Sequence, residues 1–156
     1  MSELALRGAS SVQEIETARA LFLEYEKGLG ISLCFQNFAE EVASLPGPYA
    51  PPEGRLLLAF VEGRLTGCVA LRKIDEGIGE MKRLYVRPEF RGHGLGRKLT
   101  ESLLAEAKAI GYRAVRLDTL ASMTEAQALY VSMGFTDIAA YNDHPVAGTR
   151  FMEKRL

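Results

Sequence analysis

Apolar residues recur every three or four positions between Ile15 and Tyr25, which is the spacing of one face of an amphipathic helix. Ser11 and Glu14 precede this segment at the spacing of a capping box, in which a hydroxyl and a carboxylate satisfy free donors at a helix start. Gly28 is the predicted end of the helix, because glycine readily adopts the backbone conformation that closes helices.

After residue 54 the pattern changes to that of strands. We predict strands over Arg55–Val61, Leu65–Ile74 and Gly79–Val86, and a tight hairpin turn at 62–64 joins the first two. Four of the six prolines lie within residues 45–54, just before these strands. Proline fixes φ and removes a backbone donor, so this stretch is predicted to be an irregular connection and not a domain boundary.

Helices and strands then alternate along the rest of the chain. After residue 86 the predicted elements are a helix over Gly96–Ile110 ended by Gly111, a strand over Ala114–Thr119, a helix from a second capping box at Ser122–Glu125 to Met133, and strands over Phe135–Ala140 and Arg150–Leu156. Two further elements are predicted before residue 54: a strand over Leu4–Arg7 and a helix over Asn37–Leu45. The order is β-α-α-β-β-β-α-β-α-β-β, in one domain over residues 1–156. We therefore expect an α/β (α+β) fold with a single mixed central sheet of about seven strands and about four flanking helices.

Composition and charge narrow the classes of partner. The chain has 156 residues, 25% of them charged, and a formal net charge of -1, whereas nucleic-acid-binding domains usually carry a clear cationic excess. The N-terminus lacks the layout of a signal peptide, and no apolar run is long enough to span a bilayer. Two cysteines and two distant histidines suit neither a disulfide framework nor a metal site. We expect a cytoplasmic protein with no nucleic acid, membrane or metal partner.

The chemistry is concentrated in the segment Glu80–Gly96, which reads E-M-K-R-L-Y-V-R-P-E-F-R-G-H-G-L-G. A strand leads into a glycine-dense loop that opens a helix, so free backbone N–H groups and the positive end of the helix dipole meet in one place. This arrangement suits a pyrophosphate. The P-loop and the dinucleotide-binding fingerprint have other glycine spacings, and the G-x-G-x-G of this loop fits neither.

The pattern R-x-x-G-x-G, formed by Arg91, Gly94 and Gly96, resembles the acyl-CoA-binding core of the GNAT superfamily of N-acetyltransferases. L-Y-V-R-P before the loop, L-D-T on the next strand and A-L-Y-V-S-M-G-F at Ala128–Phe135 resemble successive elements of the same family. By motif, the resemblance covers residues 79–135. It implies acetyl-CoA as cosubstrate and a sheet whose two central strands splay apart to admit the pantetheine arm.

The resemblance also implies roles for particular residues. Tyr130 is the expected general acid, which protonates the departing coenzyme A thiolate. Glu80 is the candidate general base for the incoming amine, beside the alternative that it is an ordinary surface glutamate. The cofactor-binding positions are the backbone of Leu84, Tyr85 and Val86 for pantetheine, and Arg91, Gly92, His93, Gly94, Leu95 and Gly96, with Arg97 and Lys98 close by, for the pyrophosphate.

The strand that contains Glu80 and the strand that follows it in the chain both carry polar residues at positions expected near the splay. Simple alternation places Glu80, Lys82, Leu84 and Val86 on one face, which mixes charged and apolar groups, and a bulge near Lys82 or Arg83 removes this conflict. On the next strand, Asp118 and Thr119 are expected to face the splay, where they contact either the acceptor or the pantetheine amides. An asparagine that often follows this strand in the family is absent, so that contact is missing or is made by a hydroxyl.

The expected reaction is direct acetyl transfer to the primary amine of a small molecule in a ternary complex. Two alternatives stay open: acetylation of a lysine or N-terminus on a protein or peptide, and a non-catalytic acyl-CoA sensor. The acceptor wall is expected from Phe22–Phe38, including Phe35, and from Tyr141–Thr149, including His144 in a polar loop. Cys68 is expected to pack as a small apolar residue. Family members often dimerise, so a homodimer is among the assemblies expected.

Overall fold

A single sheet of seven strands organises the computed structural model, which describes residues 3–30, 32–33, 37–143 and 146–156. The strands are β1 (Leu4–Gly8), β2 (Arg55–Val61), β3 (Arg64–Asp75), β4 (Ile78–Val86), β5 (Ala114–Thr119), β6 (Thr136–Asp137) and β7 (Arg150–Arg155). Their order across the sheet is β1-β2-β3-β4-β5-β7-β6. β4 and β5 pair in parallel and the other neighbours pair antiparallel, which confirms the predicted mixed sheet.

Four α-helices lie within the described residues, and the predicted element order is confirmed. They are α1 (Val12–Leu29), α2 (Phe38–Ser44), α3 (Leu95–Ile110) and α4 (Thr124–Ser132), with short 3-10 helices at Gly47–Tyr49 and Pro88–Phe90. Within those same residues, no helix combines the length and the apolar character needed to cross a membrane.

Alternation along the strands separates two hydrophobic cores, one on each face of the sheet. On β2, Leu57 packs with α3 and α4, whereas its neighbours Leu56 and Leu58 pack with α1 and α2. β5 follows the same rule, since Val115 and Leu117 belong to the core under α3 and α4. The sheet is therefore the middle layer between two layers of helices.

Most predicted element ends are close to those observed, and three differ. The capping box of Ser11 and Glu14 is present, but α1 continues past Gly28 and ends at Gly30, which has the left-handed φ of 72°. The second capping box is wrong, because α4 starts after Met123 and no side chain caps it. β6 spans only Thr136–Asp137, shorter than the predicted strand.

The predicted bulge in β4 is confirmed at Arg83, whose φ is 61°. Arg83 and Leu84 together lie opposite Val69 of β3, so the alternation of β4 changes phase there. Leu84 and Val86 consequently pack against the same core as Met81. We call Ile78–Met81 the first half of β4 and Leu84–Val86 its second half.

The side chain of Arg83 holds this bulge from the α2 layer. Its Nε and Nη2 donate to the two carboxylate oxygens of Glu41 at 2.9 and 2.8 Å. A left-handed conformation costs a residue with a side chain about 1–2 kcal/mol. A buried, bidentate guanidinium–carboxylate contact is strong enough to offset that strain.

The pairing of β4 with β5 is short. It comprises three residue pairs and stops at Glu80 and Arg116, although both strands continue. Beyond this point the second half of β4 pairs with β3 alone. We call the space between the diverging strands the gap.

Candidate active site

The gap is lined by residues from both strands and from both helical layers. α1 and the segment after it contribute on one side, and α4 on the other. The lining residues are Tyr25, Leu29, Leu33, Met81, Lys82, Arg83, Leu84, Leu117, Asp118, Thr119, Leu120, Met123 and Tyr130. Nine of the thirteen are apolar or aromatic, and the polar ones are Lys82, Arg83, Asp118 and Thr119.

A larger cleft of about 790 Å³ runs from the gap to the start of α3. Tyr25, Leu29, Leu84 and Met123 line both spaces, so the two are continuous. The other residues of the cleft are Gly28, Tyr85, Val86, Phe90, Arg91, Gly92, Gly94, Leu95, Gly96, Arg97, Ser122, Thr124, Glu125, Ala126 and Leu129. An extended ligand can therefore pass from the loop at residues 91–96 into the sheet.

The loop before α3 presents a set of free backbone donors. Gly94 is the N-cap of α3 with φ 77°, a left-handed conformation that suits glycine. Over the described ranges, the N–H groups of Gly92 through Arg97 have no backbone or side-chain acceptor, whereas Lys98 N–H donates to the Gly94 carbonyl at 3.1 Å. Free donors at the positive end of a 16-residue helix favour an anionic group.

The structure brings together nine of the eleven predicted cofactor-binding residues along this cleft. His93 and Lys98 are the two that do not line it, and Lys98 Nζ lies 3.9 Å from Glu101 instead. The other nine are Leu84, Tyr85, Val86, Arg91, Gly92, Gly94, Leu95, Gly96 and Arg97. The hydroxyl-bearing Ser122 and Thr124 also line the cleft, after the strand where the family's asparagine is missing.

The cationic side chains near the loop are held by local contacts. Arg91 Nε donates to the Val86 carbonyl at 2.8 Å, and its guanidinium lies 5.8 Å from the centre of the Tyr85 ring. Arg97 Nη2 donates to Ser132 Oγ at 2.6 Å. These contacts fix positive charge beside the free N–H groups.

Tyr130 places its phenol at the inner end of the gap. The residue is only 4% exposed, and its ring packs against Phe135 at 5.6 Å between centroids. Its hydroxyl makes no hydrogen bond to the part of the chain that the structure describes. Burial, with smaller contributions from Tyr25 and Asp118, raises the pKa of Tyr130 well above its usual value. The phenol therefore holds its proton at neutral pH.

Glu80 lies in the first half of β4, is 1% exposed and does not line the gap. One carboxylate oxygen accepts from Arg72 Nε at 2.8 Å and the other accepts from the Tyr141 hydroxyl at 2.6 Å. Lys82 Nζ is 3.9 Å away. Burial and the charge of Glu80 raise the pKa of Tyr141, so this phenol stays protonated as a donor. The candidate base is thus a buried carboxylate with a hydrogen bond to each oxygen.

The end of β5 brings two polar side chains to the gap, as the sequence predicts. Thr119 Oγ1 is buried without a hydrogen-bond partner among the described residues. Asp118 is half-buried, and its Oδ2 accepts from Asn142 Nδ2 at 3.0 Å. A buried hydroxyl without a partner is costly unless a ligand or water supplies one.

Helix α1 is fastened to the second half of β4 by contacts that the sequence pattern did not indicate. Glu24 accepts hydrogen bonds from the Tyr85 hydroxyl and from Arg87, and the rings of Tyr25 and Tyr85 meet edge to face. Leu29 and Leu33 also line the gap, in the region predicted as one acceptor wall.

Three residues discussed from the sequence need a separate note. Cys68 is fully buried in the sheet, which confirms its packing as a small apolar residue. Phe35 and His144, both expected in the acceptor wall, lie outside the described residues.

Comparison with known proteins identifies a family. The model of the "Acetyltransferase (GNAT) family" matches residues 17–135. An uncharacterized N-acetyltransferase of Schizosaccharomyces pombe is 36% identical over 157 residues, covering 99% of this chain and 96% of that protein. N-acetylaspartate synthetase of Rattus norvegicus is 36% identical over 144 residues, which are 89% of this chain and 48% of that protein.

A solved structure shares the fold. The PaiA N-acetyltransferase of Thermoplasma acidophilum, determined in complex with coenzyme A, superposes with a TM-score of 0.73 at 21% sequence identity. The superposition covers 99% of each chain.

Proposed function

The chain belongs to the acetyltransferase (GNAT) family and is an N-acetyltransferase, and we propose that it transfers an acetyl group from acetyl-CoA to the primary amine of a small molecule. The observation that carries this proposal is the gap between β4 and β5. One end of the gap continues into the cleft with the free N–H groups before α3, and its inner end holds the Tyr130 hydroxyl.

The groups present fit a coenzyme A molecule. The N–H groups of Gly92–Arg97 would bind the pyrophosphate, and the unpaired edge of the second half of β4 would bind the pantetheine amides as a neighbouring strand does. Thr119 Oγ1, buried without a partner among the described residues, would gain one from the same arm. When bound, acetyl-CoA supplies the acetyl group in the activated form of a thioester.

Within this proposal, Tyr130 acts as the general acid. Its hydroxyl gives a proton to the departing sulfur, and a positioned acid contributes about 10²–10⁴-fold to a rate. Backbone N–H groups of the second half of β4 donate to the carbonyl oxygen, whose negative charge grows during attack. Burial at the inner end of the gap, where Tyr130 is 4% exposed, strengthens both interactions.

Direct transfer is favoured over a covalent intermediate on Cys68. Burial raises the pKa of this thiol to about 12, so almost none of it is the reactive thiolate at neutral pH. Its Sγ also donates to the Arg83 carbonyl at 3.4 Å. The amine would therefore attack the thioester without help from this cysteine.

A small acceptor is supported on the face of the sheet that carries α1 and α2. Tyr141 and Asn142 belong to the connection between β6 and β7. They donate hydrogen bonds to Glu80 and Asp118 and so cover part of the gap on this face. The rat relative is named for the formation of N-acetylaspartate, a small amide. Glu80 can serve as the base only if the proton passes through Tyr141 or water, because it is buried and does not line the gap.

The test is a panel of acceptors assayed for thiol release from acetyl-CoA. It should contain small primary amines and amino acids, together with peptides that offer a lysine or a free N-terminus. We expect turnover with at least one small amine and much less with the peptides. Higher turnover with peptides would move the assignment to a protein acetyltransferase. If the protein bound coenzyme A tightly but acetylated no acceptor of any class, the remaining interpretation would be a non-catalytic acyl-CoA sensor. Light scattering tests the predicted homodimer.

A further inference from the structure

We propose that Asp118, and not Glu80, receives the proton from the acceptor amine. This inference rests on the proposed acetyl transfer. Both carboxylates lie on the sheet face that carries α1 and α2, because Glu80 pairs with Arg116, two residues before Asp118 on β5. The two groups differ in their access to the gap and in the use of their oxygens.

Glu80 is enclosed, and each of its carboxylate oxygens already accepts a hydrogen bond. The Arg72 guanidinium and the Tyr141 hydroxyl occupy its two oxygens at 2.8 and 2.6 Å. The residue is absent from the lining of the gap. An amine in the gap has no direct path to this carboxylate unless the network of Arg72 and Tyr141 opens.

Asp118 borders the gap and has one carboxylate oxygen without a hydrogen bond from the described residues. It is half-buried and lines the gap. Its Oδ2 accepts from Asn142, and its Oδ1 accepts no hydrogen bond from the residues that the structure describes. A single contact to Asn142 orients the carboxylate and leaves one oxygen for the N–H of an amine.

The positions of Asp118 and Tyr130 suit the two ends of the reaction. Tyr130 belongs to the core under α3 and α4, and so does Leu117. Asp118 follows Leu117 on β5 and therefore faces the opposite side of the sheet. The acid and the proposed base thus border the same gap from opposite sides, one beside the leaving sulfur and the other beside the entering nitrogen.

Charge supports this placement. Burial is the main cause of the raised pKa values of Tyr130 and Tyr25, and the negative charge of Asp118 adds a smaller increase to each. The field of a carboxylate also attracts the ammonium form in which most amines arrive. Lys82, which lines the same gap, has its pKa lowered mainly by burial.

Two protons leave the nitrogen during the reaction. The bound ammonium gives a proton to Asp118, and the nitrogen forms a bond to the acetyl carbon while the carbon–sulfur bond breaks. Tyr130 gives its proton to the sulfur as the thiol forms. The second proton leaves the nitrogen as the carbon–sulfur bond breaks and passes through water to the Tyr130 phenolate. Asp118 then releases its proton to water, so one proton is released overall and no oxidant or further reactant is needed.

The test compares Asp118→Asn with Glu80→Gln, using an amine that the wild-type protein acetylates. We expect Asp118→Asn to lower kcat/KM by about 10²–10⁴-fold and Glu80→Gln to lower it by less than about tenfold. Asp75→Asn, at the exposed end of β3, is the matched control for loss of a negative charge and should retain wild-type kcat/KM. Asp118→Glu keeps the carboxylate and should be more active than Asp118→Asn.

A binding measurement separates this inference from turnover. The amine is titrated into each variant saturated with coenzyme A, alongside the alcohol of the same shape. Asp118→Asn should weaken binding of the ammonium and leave binding of the alcohol unchanged. Thermal unfolding and coenzyme A affinity are expected at wild-type values for the Asp118 variants and confirm that they are folded. Glu80→Gln should unfold at a lower temperature, because Arg72 loses its carboxylate, so its activity is compared well below that temperature.

The inference is overturned if Asp118→Asn keeps more than about a third of the wild-type kcat/KM, or if Glu80→Gln loses more activity than Asp118→Asn. Equal activity of Asp118→Asn and Asp118→Glu would also overturn it. A wild-type protein that acetylates no amine would instead refute the proposed function. In that case the ammonium titration still shows whether Asp118 binds a cation.

Discussion

The two halves of β4 share a strand but differ in what surrounds their backbones. The first half, Ile78–Met81, lies between β3 and β5 and buries Glu80 in a closed network. The second half, Leu84–Val86, pairs with β3 alone and borders the cleft. A bulge at Arg83 separates the halves. One extra residue in a strand thus divides a structural scaffold from a binding edge.

This contrast predicts different consequences for substitutions around each half. Changes around the second half should reduce activity or coenzyme A binding while the fold stays stable. Changes at the bulge should reduce stability first.

The largest effect is expected from Tyr130→Phe. Removing the hydroxyl should lower kcat by about 10²–10⁴-fold, because the thiolate loses its acid. Coenzyme A affinity and the thermal midpoint should stay at wild-type values, since the hydroxyl has no partner among the described residues. Thiol release, coenzyme A titration and thermal unfolding measure the three quantities.

Tyr112→Phe is the matched control for Tyr130→Phe. The Tyr112 hydroxyl donates to the Glu53 carbonyl at 2.6 Å, far from the cleft, so its loss should cost about 1 kcal/mol of stability and no activity. A Tyr130→Phe protein with more than about a tenth of wild-type kcat would contradict the acid role.

The bulge is tested by Glu41→Ala. This change leaves the buried guanidinium of Arg83 without its carboxylate, and breaking a buried ion pair in this way costs about 3–5 kcal/mol. Urea unfolding should show the loss as a lower free energy of unfolding. Glu40→Ala, an exposed neighbour on α2, should change that free energy little. Equal values for the two variants would refute the stabilising role of the pair.

The loop before α3 is tested by Gly94→Ala. With φ at 77°, alanine would cost about 1–2 kcal/mol, and relaxation of the loop should displace the N–H groups. We expect coenzyme A affinity to fall by about tenfold, which corresponds to 1.4 kcal/mol. Gly111→Ala, at the other end of α3 with φ 111°, should reduce stability and leave affinity intact. Parallel losses of affinity would show that helix strain, and not the loop, is responsible.

The smallest effect is expected from Arg91→Ala. Its exposed guanidinium borders the free N–H groups, and such charges contribute about 0.2–1 kcal/mol, or up to about fivefold in Kd for coenzyme A. Lys98→Ala should have a weaker effect, because Lys98 lies outside the cleft. Calorimetric titration at low and moderate salt can rank the two. A larger effect from Lys98 would restore it to the set of binding residues.

The sequence could place the second half of β4 and its loop along one cleft because these residues are contiguous in the chain. The segment from Glu80 to Gly96 forms a strand, a loop and the start of a helix without a break. Residues that are close in the motif are therefore also close in space. The bulge was also predictable, since regular alternation at Lys82 and Arg83 mixed charged and apolar groups on one face.

The network around Glu80 was not predictable by the same means. Tyr141 is 61 residues away from Glu80, and Asn142 is 24 residues away from Asp118. Neither contact follows a helical or strand period. Only the folded sheet brings these residues together, and only then is Glu80 seen to be enclosed.

The misplaced helix ends have a local explanation. Gly28 and Gly30 both offer a stop for α1, and glycine inside a helix costs about 1 kcal/mol, little enough for packing of the next turn to override. At α4, the serine of the second capping box lines the cleft instead of capping the helix.

The early end of the β4–β5 pairing also affects the stability of the folded protein. Without coenzyme A, the sheet is unfinished at its centre and keeps an internal edge of the kind that invites mispairing with other chains. A bound pantetheine arm would complete it as a surrogate strand. At a ligand concentration 100 times Kd, such binding stabilises the native state by about 2.7 kcal/mol. The supply of acyl-CoA would then affect the stability of the native state as well as the rate of catalysis.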